Sequence, residues 1–392
     1  MTWQSIFIEN HMNKLLIVSH VIHYKYGGKL YAYGPYVKEI DIWAKLFPEV
    51  VIASPLHYEF PQSDCIMFEN DNISIIPQME RGGENLKSKL WQIISLPKMI
   101  WQLSNSMHKV DAIQVRCPGN LGLLGILLAP FFSKYRIAKF AGQWTGYPSE
   151  PFTVKLQRWL LKSKWWNAPV TVYGNWPNQP KHVIPFFTSM LTDEIIELAK
   201  TSSTVKKKHD PIRILFVGRL SKSKNVDTLI KAINILSNEG INIECKIIGV
   251  GDQLETLVKL TESLKLSSMI HFLGGLKFEK VIDYYIWADI LVLVSETEGW
   301  PKAITEAMAF GVVCIGSNRG LIPHILGEGR GIVIEPGDHS KLAIEISKLC
   351  TVHEIFKSLS RSAAEWSQKY SISSLKNELK EVMKREWKID FS

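Results

Sequence analysis

The feature that most constrains this sequence is its alternation of two patterns. From Ile212 onward, short apolar runs (I-R-I-L-F-V, E-C-K-I-I, I-H-F-L, I-L-V-L-V, V-V-C-I-G) are each followed by a longer stretch with helical spacing. Short apolar runs predict strands covered on both faces, and intervening helices predict parallel pairing, because parallel strands must be joined by crossovers. The predicted order is strand 212–217, helix 226–238, strand 244–248, helix 253–264, strand 270–273, helix 278–287, strand 290–294, helix 301–310, strand 312–316 and a further strand at 331–334. Helices fill 341–350 and most of the tail. The first half repeats the theme less cleanly. Its strands are expected at 14–19, 50–54, 73–77, 112–115, 136–140, 171–173 and 182–185, with a glycine loop at 26–28, a helix over 36–47 and a long helix over 86–106 interrupted near Pro97. The polar stretch 201–211 (T-S-S-T-V-K-K-K-H-D-P) lacks apolar periodicity and is expected to be a linker, with Lys206, Lys207 and Lys208 in solvent.

A chain of 392 residues is too long for one ordinary core and fits two domains. Apolar residues make up 46% and charged residues 21%, a globular composition. No apolar run reaches the roughly 18 residues of a membrane span; the nearest, 119–132, is broken by Pro130 and reads as a buried helix or a patch touching lipid. The first twelve residues lack the basic region and apolar core of a signal peptide. Five cysteines without C-x-x-C spacing predict free thiols in a reducing compartment. These observations lead us to expect a soluble, cytoplasmic protein. The net charge of +8 is uneven, with 23 Lys and Arg against 16 Asp and Glu in residues 1–210, and 23 against 22 thereafter. That asymmetry is either a solvated surface or the mark of an anionic partner, such as acidic lipid head groups or a lipid pyrophosphate. No nucleic-acid motif is present, and no nucleic-acid partner is expected.

Chemistry concentrates after two of the predicted strands. In S-E-T-E-G-W-P-K-A-I-T-E-A-M-A-F-G (295–311), a strand ends and Glu298-Gly299-Trp300 leads into a helix with Pro301 at its first position, where a missing N–H costs nothing. Free N–H groups and the helix dipole offer an anion site there. Lys302 stands beside it, and Glu306 follows in the second turn. One acid on each side of the helix start suits hydroxyl recognition, because carboxylates only accept and hydroxyls readily donate. The other reading is a capped surface helix with ordinary glutamates. In F-V-G-R-L-S-K-S-K-N-V-D (216–227), Gly218 ends a strand, and Arg219 and Lys224 follow. Two cations at a strand's carboxyl end can neutralise a diphosphate, Arg as a fork and Lys as a point charge; the other reading is loop charges in water.

With these residues in place, the second half resembles the retaining glycosyltransferases of the GT-B fold, family 4. The family's pattern of two glutamates separated by seven residues is met by Glu298 and Glu306. Its G-R-x4-K phosphate pair is met by Gly218, Arg219 and Lys224, and its G-x-G by Gly249 and Gly251. The resemblance covers 212–349 and extends weakly to the first strand and Gly27-Gly28. It implies an α/β protein with two facing Rossmann-like domains: an acceptor-binding domain at 1–205, a donor-binding domain at 211–370, and a terminal helix at 371–392 that crosses back. It further implies a nucleotide diphosphate sugar as donor, with Gly218, Arg219, Lys224, Glu298, Gly299, Trp300, Pro301, Lys302 and Glu306 holding it. Arg219, Lys224 and Glu298 are the residues expected at the chemistry. No cofactor or metal is expected. The acceptor would be a glycan or lipid-linked sugar in cell-surface polysaccharide or lipopolysaccharide assembly. Peripheral contact with an anionic membrane on its cytosolic face would accompany it.

There are departures. Relatives often carry a His after a central strand of the first domain; here the stretch is K-F-A-G-Q-W-T-G (139–146), leaving Gln143 to fill that role or Trp144 to stack on a sugar, the other reading of Trp144 being a buried core residue. The family's G-G-x-x-E segment reads N-R-G-L-I-P-H, so His324 stands in place of a donor-side Glu. His20 and His23 follow the first strand and either point into the cleft or are structural, and Arg116 is expected to meet an anionic acceptor or a local carboxylate. Two other classes remain: a dinucleotide-binding oxidoreductase, which the absence of G-x-G-x-x-G after the first strand disfavours, and a non-catalytic sugar-nucleotide or partner-binding module on the same fold.

Overall fold

The computed structural model describes residues 12–62, 64–79, 86–147 and 150–391, with backbone alone for 86–93. The reading of residues 1–12 as lacking a leader therefore falls almost wholly outside the described residues.

Two parallel sheets organise the chain. The first has seven strands in the order Val183–Phe186, Val170–Tyr173, Tyr135–Phe140, Ala112–Cys117, Lys14–Val18, Glu49–Ser54 and Ile73–Pro77. The second has six, in the order Ile270–Gly274, Ile243–Ile248, Ile212–Val217, Ile290–Leu293, Val313–Ser317 and Ile332–Ile334. Side chains alternate across a strand, and the first sheet separates its two cores that way. Leu15, Ile17, Val50 and Ile52 face the Gly34–Ala44 helix. Leu16, Val18, Val51 and Ala53 face the helices Leu86–Met107, Asn120–Leu128 and Phe152–Lys162. The whole is α/β with two Rossmann-like units, as the alternation demands.

Three expectations change. The glycine loop at 26–28 is the turn of a hairpin. His23–Tyr26 pairs antiparallel with Lys29–Tyr33, both inside a small four-stranded sheet with Leu56–His57 and Cys65–Met67. Gly27 and Gly28 both have positive φ, 56° and 76°, as a two-residue hairpin turn needs. Their place is explained by the turn alone. The helix over Leu86–Met107 runs through Pro97 without a break. Third, 201–211 is no free linker. The Asp193–Thr204 helix takes its first four residues, and two of its lysines are tied down. Lys206 donates to the carbonyls of Tyr285 and Ile286 at the end of the Phe278–Trp287 helix, and Lys208 donates to the carbonyl of Cys350. Cations at helix ends satisfy carbonyls the helix leaves unpaired. Burial lowers the Lys206 pKa to about 8.

The final helix, Ile372–Trp387, returns to the first sheet. Leu375, Leu379, Val382, Met383 and Trp387 join the core formed by Tyr36, Ile40, Trp43 and Phe47. Leu379→Ala is expected to cost about 2–5 kcal/mol in urea unfolding, the range for an emptied leucine site. An exposed-residue control on the same helix, Glu378→Ala, should cost less than about 0.5 kcal/mol.

Candidate active site between the two sheets

In an open α/β sheet, ligands bind beyond the carboxyl ends of the strands, where the strand order reverses. The second sheet reverses between Ile212–Val217 and Ile290–Leu293. Gly218, Arg219 and Lys224 follow the first of these strands, and Glu298 to Lys302 follow the second. Lys224 Nζ and the Glu298 carboxylate form an ion pair across that point, both largely shielded from solvent. Arg219, five residues before Lys224, is exposed, with no side-chain hydrogen bond or ion pair among the described residues. Lys222 is likewise exposed.

Backbone packing fixes this corner. A Cβ on Gly249 would stand 1.8 Å from the Gly218 carbonyl oxygen, and one on Gly320 would stand 2.1 Å from that of Glu298. The two loops that carry the ion pair are thus each held by a neighbouring loop that only glycine allows so close. Asn225 donates to the carbonyl of Val294 at 3.1 Å and to Glu296 at 2.8 Å, a direct link between the two loops.

The first sheet reverses between Lys14–Val18 and Ala112–Cys117. His20 follows the former and lies against Gly119 after the latter, where a Cβ would come within 2.6 Å of Nδ1. Its other side is open to solvent; packing beneath it, then the Arg116 guanidinium, lower its pKa. The two carboxyl edges face each other. Gly299 packs on Gly142 and Tyr173, and Leu321 packs on Gly174. Lys302 crosses the same gap to lie 5.2 Å from the Tyr33 ring centroid. Burial would lower the Lys302 pKa, but Tyr33, Tyr173 and Glu306 outweigh it and raise it, so Lys302 holds its proton.

Several residues expected at the site lie elsewhere. Glu306 is in the interior: the Lys302–Ala309 helix buries every position from Ile304 to Ala309, and the Glu306 carboxylate accepts from Tyr285 Oη at 2.8 Å. Burial raises its pKa. Pro301 precedes the helix as its cap residue and is not its first residue. Trp300 is buried in an aromatic cluster with Tyr173, Phe187, Trp366 and Tyr370, at ring centroid distances of 5.4–6.4 Å, so it joins the domains and does not line an open pocket. His23 is fully buried and does not reach the cleft. Its Nδ1 lies 2.7 Å from Ser54 Oγ, and its ring stacks on Phe68. Trp144 is a core residue whose Nε1 donates to Gln179 Oε1 at 3.0 Å. Gln143, beside the Gly142–Gly299 contact, donates to Thr145 Oγ1 at 3.2 Å. Arg116 takes the local-carboxylate alternative, donating to buried Glu39 at 3.0 Å. His324 is exposed on the short Ile322–Leu326 helix.

Sequence reasoning missed Glu39 and Lys139. Lys139 is buried, its ammonium 4.5 Å from the Tyr173 ring and 4.6 Å from the Phe186 ring, donating to the Phe187 carbonyl at 3.3 Å. Burial lowers its pKa to about 8; Glu39 opposes this, while Arg116 and Lys302 add to it. For Glu39 the burial effect is outweighed by Arg116 and Lys139, which hold the carboxyl below its ordinary range. The signal for Lys139 was a lysine inside an otherwise apolar strand run, R-I-A-K-F. Arg116, Lys139 and Lys302 against Glu39 leave the facing edges with an excess of positive charge.

Comparison with known proteins agrees with this architecture. Residues 199–366 match the family described as Glycosyl transferases group 1. An uncharacterized glycosyltransferase of Haemophilus influenzae is 27% identical over 198 residues, 49% of this chain and 56% of that protein. The amylovoran biosynthesis glycosyltransferase AmsK of Erwinia amylovora is 33% identical over 148 residues, 36% of each chain. The chain therefore spans about half or less of these relatives' own lengths. The crystal structure of Anabaena HepE with UDP and glucose superposes with a TM-score of 0.68 at 14% identity, over 95% of this chain and 99% of that one, a likeness of fold. The chain has the GT-B fold, and its residues 199–366 are similar to the glycosyl transferases group 1 family.

The buried histidine generates a pH prediction. His23 has its pKa lowered to about 4 by burial, against 6.5 for the free side chain. The unfolded chain then binds a proton that the folded one refuses. Stability is lost as pH falls from about 6.5 toward about 4, by on the order of 3 kcal/mol. In urea unfolding at a series of pH values, His23→Gln should remove that part of the acid slope.

Proposed function

We propose that this protein is a retaining glycosyltransferase that moves a hexose-type sugar from a UDP- or GDP-sugar to a glycan or lipid-linked acceptor, in cell-surface polysaccharide or lipopolysaccharide assembly. The observation that carries the reading is the Lys224–Glu298 pair at the second sheet's reversal point, opposite the carboxyl edge of the first sheet. The group 1 family match over 199–366 and the amylovoran relative support the same reading.

In the proposal the ion pair is a placeholder. A diphosphate entering beside Arg219 competes for Lys224 and releases the Glu298 carboxylate to accept from sugar hydroxyls. Arg219 and Lys224 then balance the charge that develops on the leaving nucleoside diphosphate, so no metal is invoked. Electrostatic stabilisation of this kind is commonly the largest catalytic contribution. The donor lies on the second domain and the acceptor on the first, with the His20–Gly119 corner facing the transferred sugar. Retention follows if the donor phosphate itself takes the acceptor proton on the departing face. Glu306 contributes from within, by holding Tyr285 and the helix that follows Glu298.

Calorimetry with UDP, GDP and NAD tests the class: nucleoside diphosphate binding is expected, and NAD binding without it would replace the proposal with the oxidoreductase reading. Lys224→Ala should lower kcat by about 10²–10³, the range for loss of one preorganised charge-stabilising group, while Glu298→Gln should mainly raise the KM for the nucleotide sugar. Turnover should be unchanged by a chelator, and the anomeric configuration of the product, read by NMR, should match that of the donor. An inverted product would reject the retaining assignment. Binding of nucleoside diphosphate without transfer to any membrane-derived acceptor would favour the non-catalytic module.

A further inference from the structure

We propose that the outer face of the helix layer formed by Leu86–Met107, Asn120–Leu128 and Phe152–Lys162 docks on an anionic lipid bilayer, lying in the head-group region without crossing it. These three helices cover one face of the first sheet and share its core through Met99, Leu103, Leu121, Ile126, Leu160 and Leu161. Their outward sides therefore form one surface. That surface carries apolar side chains at unusual exposure: Trp101 at 68%, Phe131 at 71%, Phe152 at 74% and Trp159 at 64%. Phe152, Lys155 and Trp159 follow one another at helical spacing, as do Ile94, Lys98 and Trp101. Phe131 and Trp165 close the gap between the second and third helices, with ring centroids 5.5 Å apart, and Trp165 Nε1 donates to the Ile126 carbonyl at 3.1 Å.

Charge complementarity selects the occupant. Residues 86–167 contain 12 Lys and Arg against 2 Asp and Glu, and among the described residues only Arg116 and Lys139 of the 12 are buried, toward the cleft. Neither acid opposes an approaching anion: Asp111 accepts from the backbone N–H groups of Asn13 and Lys14, and Glu150 is paired with Arg158. Lys98, Lys155 and Lys164 are exposed among the apolar residues. Tryptophans interleaved with lysines on a flat helical layer match the boundary between acyl chains and acidic head groups, where an indole has an apolar body and a polar edge. Among the described residues no helix is long and apolar enough to cross a membrane, so the contact lies on the surface. The layer covers a face of the sheet and not its carboxyl edge, so docking leaves the cleft between the domains open beside the bilayer.

The test uses the full chain and needs no nucleotide, so its failure is separate from any failure of the transfer reading. Co-sedimentation with vesicles of phosphatidylcholine containing phosphatidylglycerol should show binding that weakens as salt rises, with a blue shift of tryptophan fluorescence. Vesicles of phosphatidylcholine alone should bind far less. Lys98→Gln with Lys155→Gln should weaken partitioning roughly thirtyfold, from the usual contribution of a basic residue near an acidic surface. Trp101→Ser with Trp159→Ser should weaken it at least about tenfold, as two interfacial anchors are removed. Both double variants should keep the parent's thermal transition. Equal binding to neutral vesicles, no binding, or variants without effect would overturn the proposal. So would a concentration-dependent dimer in sedimentation velocity that the tryptophan variant dissolves, which would assign the face to a second copy.

Discussion

The approach of the Glu298–Lys302 loop to the carboxyl edge of the first sheet is the contact on which the rest of this structure depends. Gly299 packs on the Gly142 backbone, where a Cβ would stand 3.1 Å from the carbonyl carbon, so the two domains meet closely at this point. One residue later Trp300 fills the aromatic cluster that also contains Tyr173 and Phe187 of the first half and Trp366 and Tyr370 of the second. One residue after Pro301, Lys302 reaches across to Tyr33. A segment of five residues thus presents a carboxylate to its own domain, a backbone contact to the other, an aromatic anchor between them and a cation into the gap. Aromatic side chains bury large areas with specific geometry, which suits a junction that must keep two edges in register.

Charge at the junction is distributed with the same economy. Arg116 and Glu39 neutralise each other in the interior of the first domain, and Lys139 sits behind them over two aromatic rings. A buried ion pair is weak evidence of stability, because desolvation offsets much of the attraction. Its value here is electrostatic, since it lets two further cations stand near the cleft without an exposed counter-ion. On the second domain Lys224 is balanced by Glu298, while Arg219 is exposed with no ion pair among the described residues. The cleft is therefore poised for an anion from both sides.

Sequence reasoning placed strands well and placed side chains unevenly. The strands Ile212–Val217 and Ile73–Pro77 and the helix Val226–Asn238 fall where periodicity put them. The small hairpin sheet was missed because its strands, H-Y-K-Y and K-L-Y-A-Y, are polar and half exposed and lack an apolar signature. Lys224 and Glu298 come together as an ion pair because each follows a strand at the reversal of the sheet. Glu306 was misplaced because linear spacing says how far along a helix a residue lies and nothing about how much of that helix is buried. His23 and Trp144 take the core alternative for a similar reason: a polar or amphipathic residue near a strand end can turn toward the core as readily as toward the cleft.

The sequence by itself determined the α/β alternation, the two-sheet organisation and the loops that could carry a diphosphate site, because these follow from local periodicity and from glycine and charge at strand ends. Only the tertiary structure decided which side chains share a space. It paired Arg116 with Glu39, withdrew Glu306 to Tyr285, tied Lys206 and Lys208 to helix ends, and gathered the exposed tryptophans and lysines of three helices onto one face. The physical reason is that burial and pairing depend on distances between residues far apart in the chain, and those distances are set by how helices pack on sheets, which no local pattern encodes.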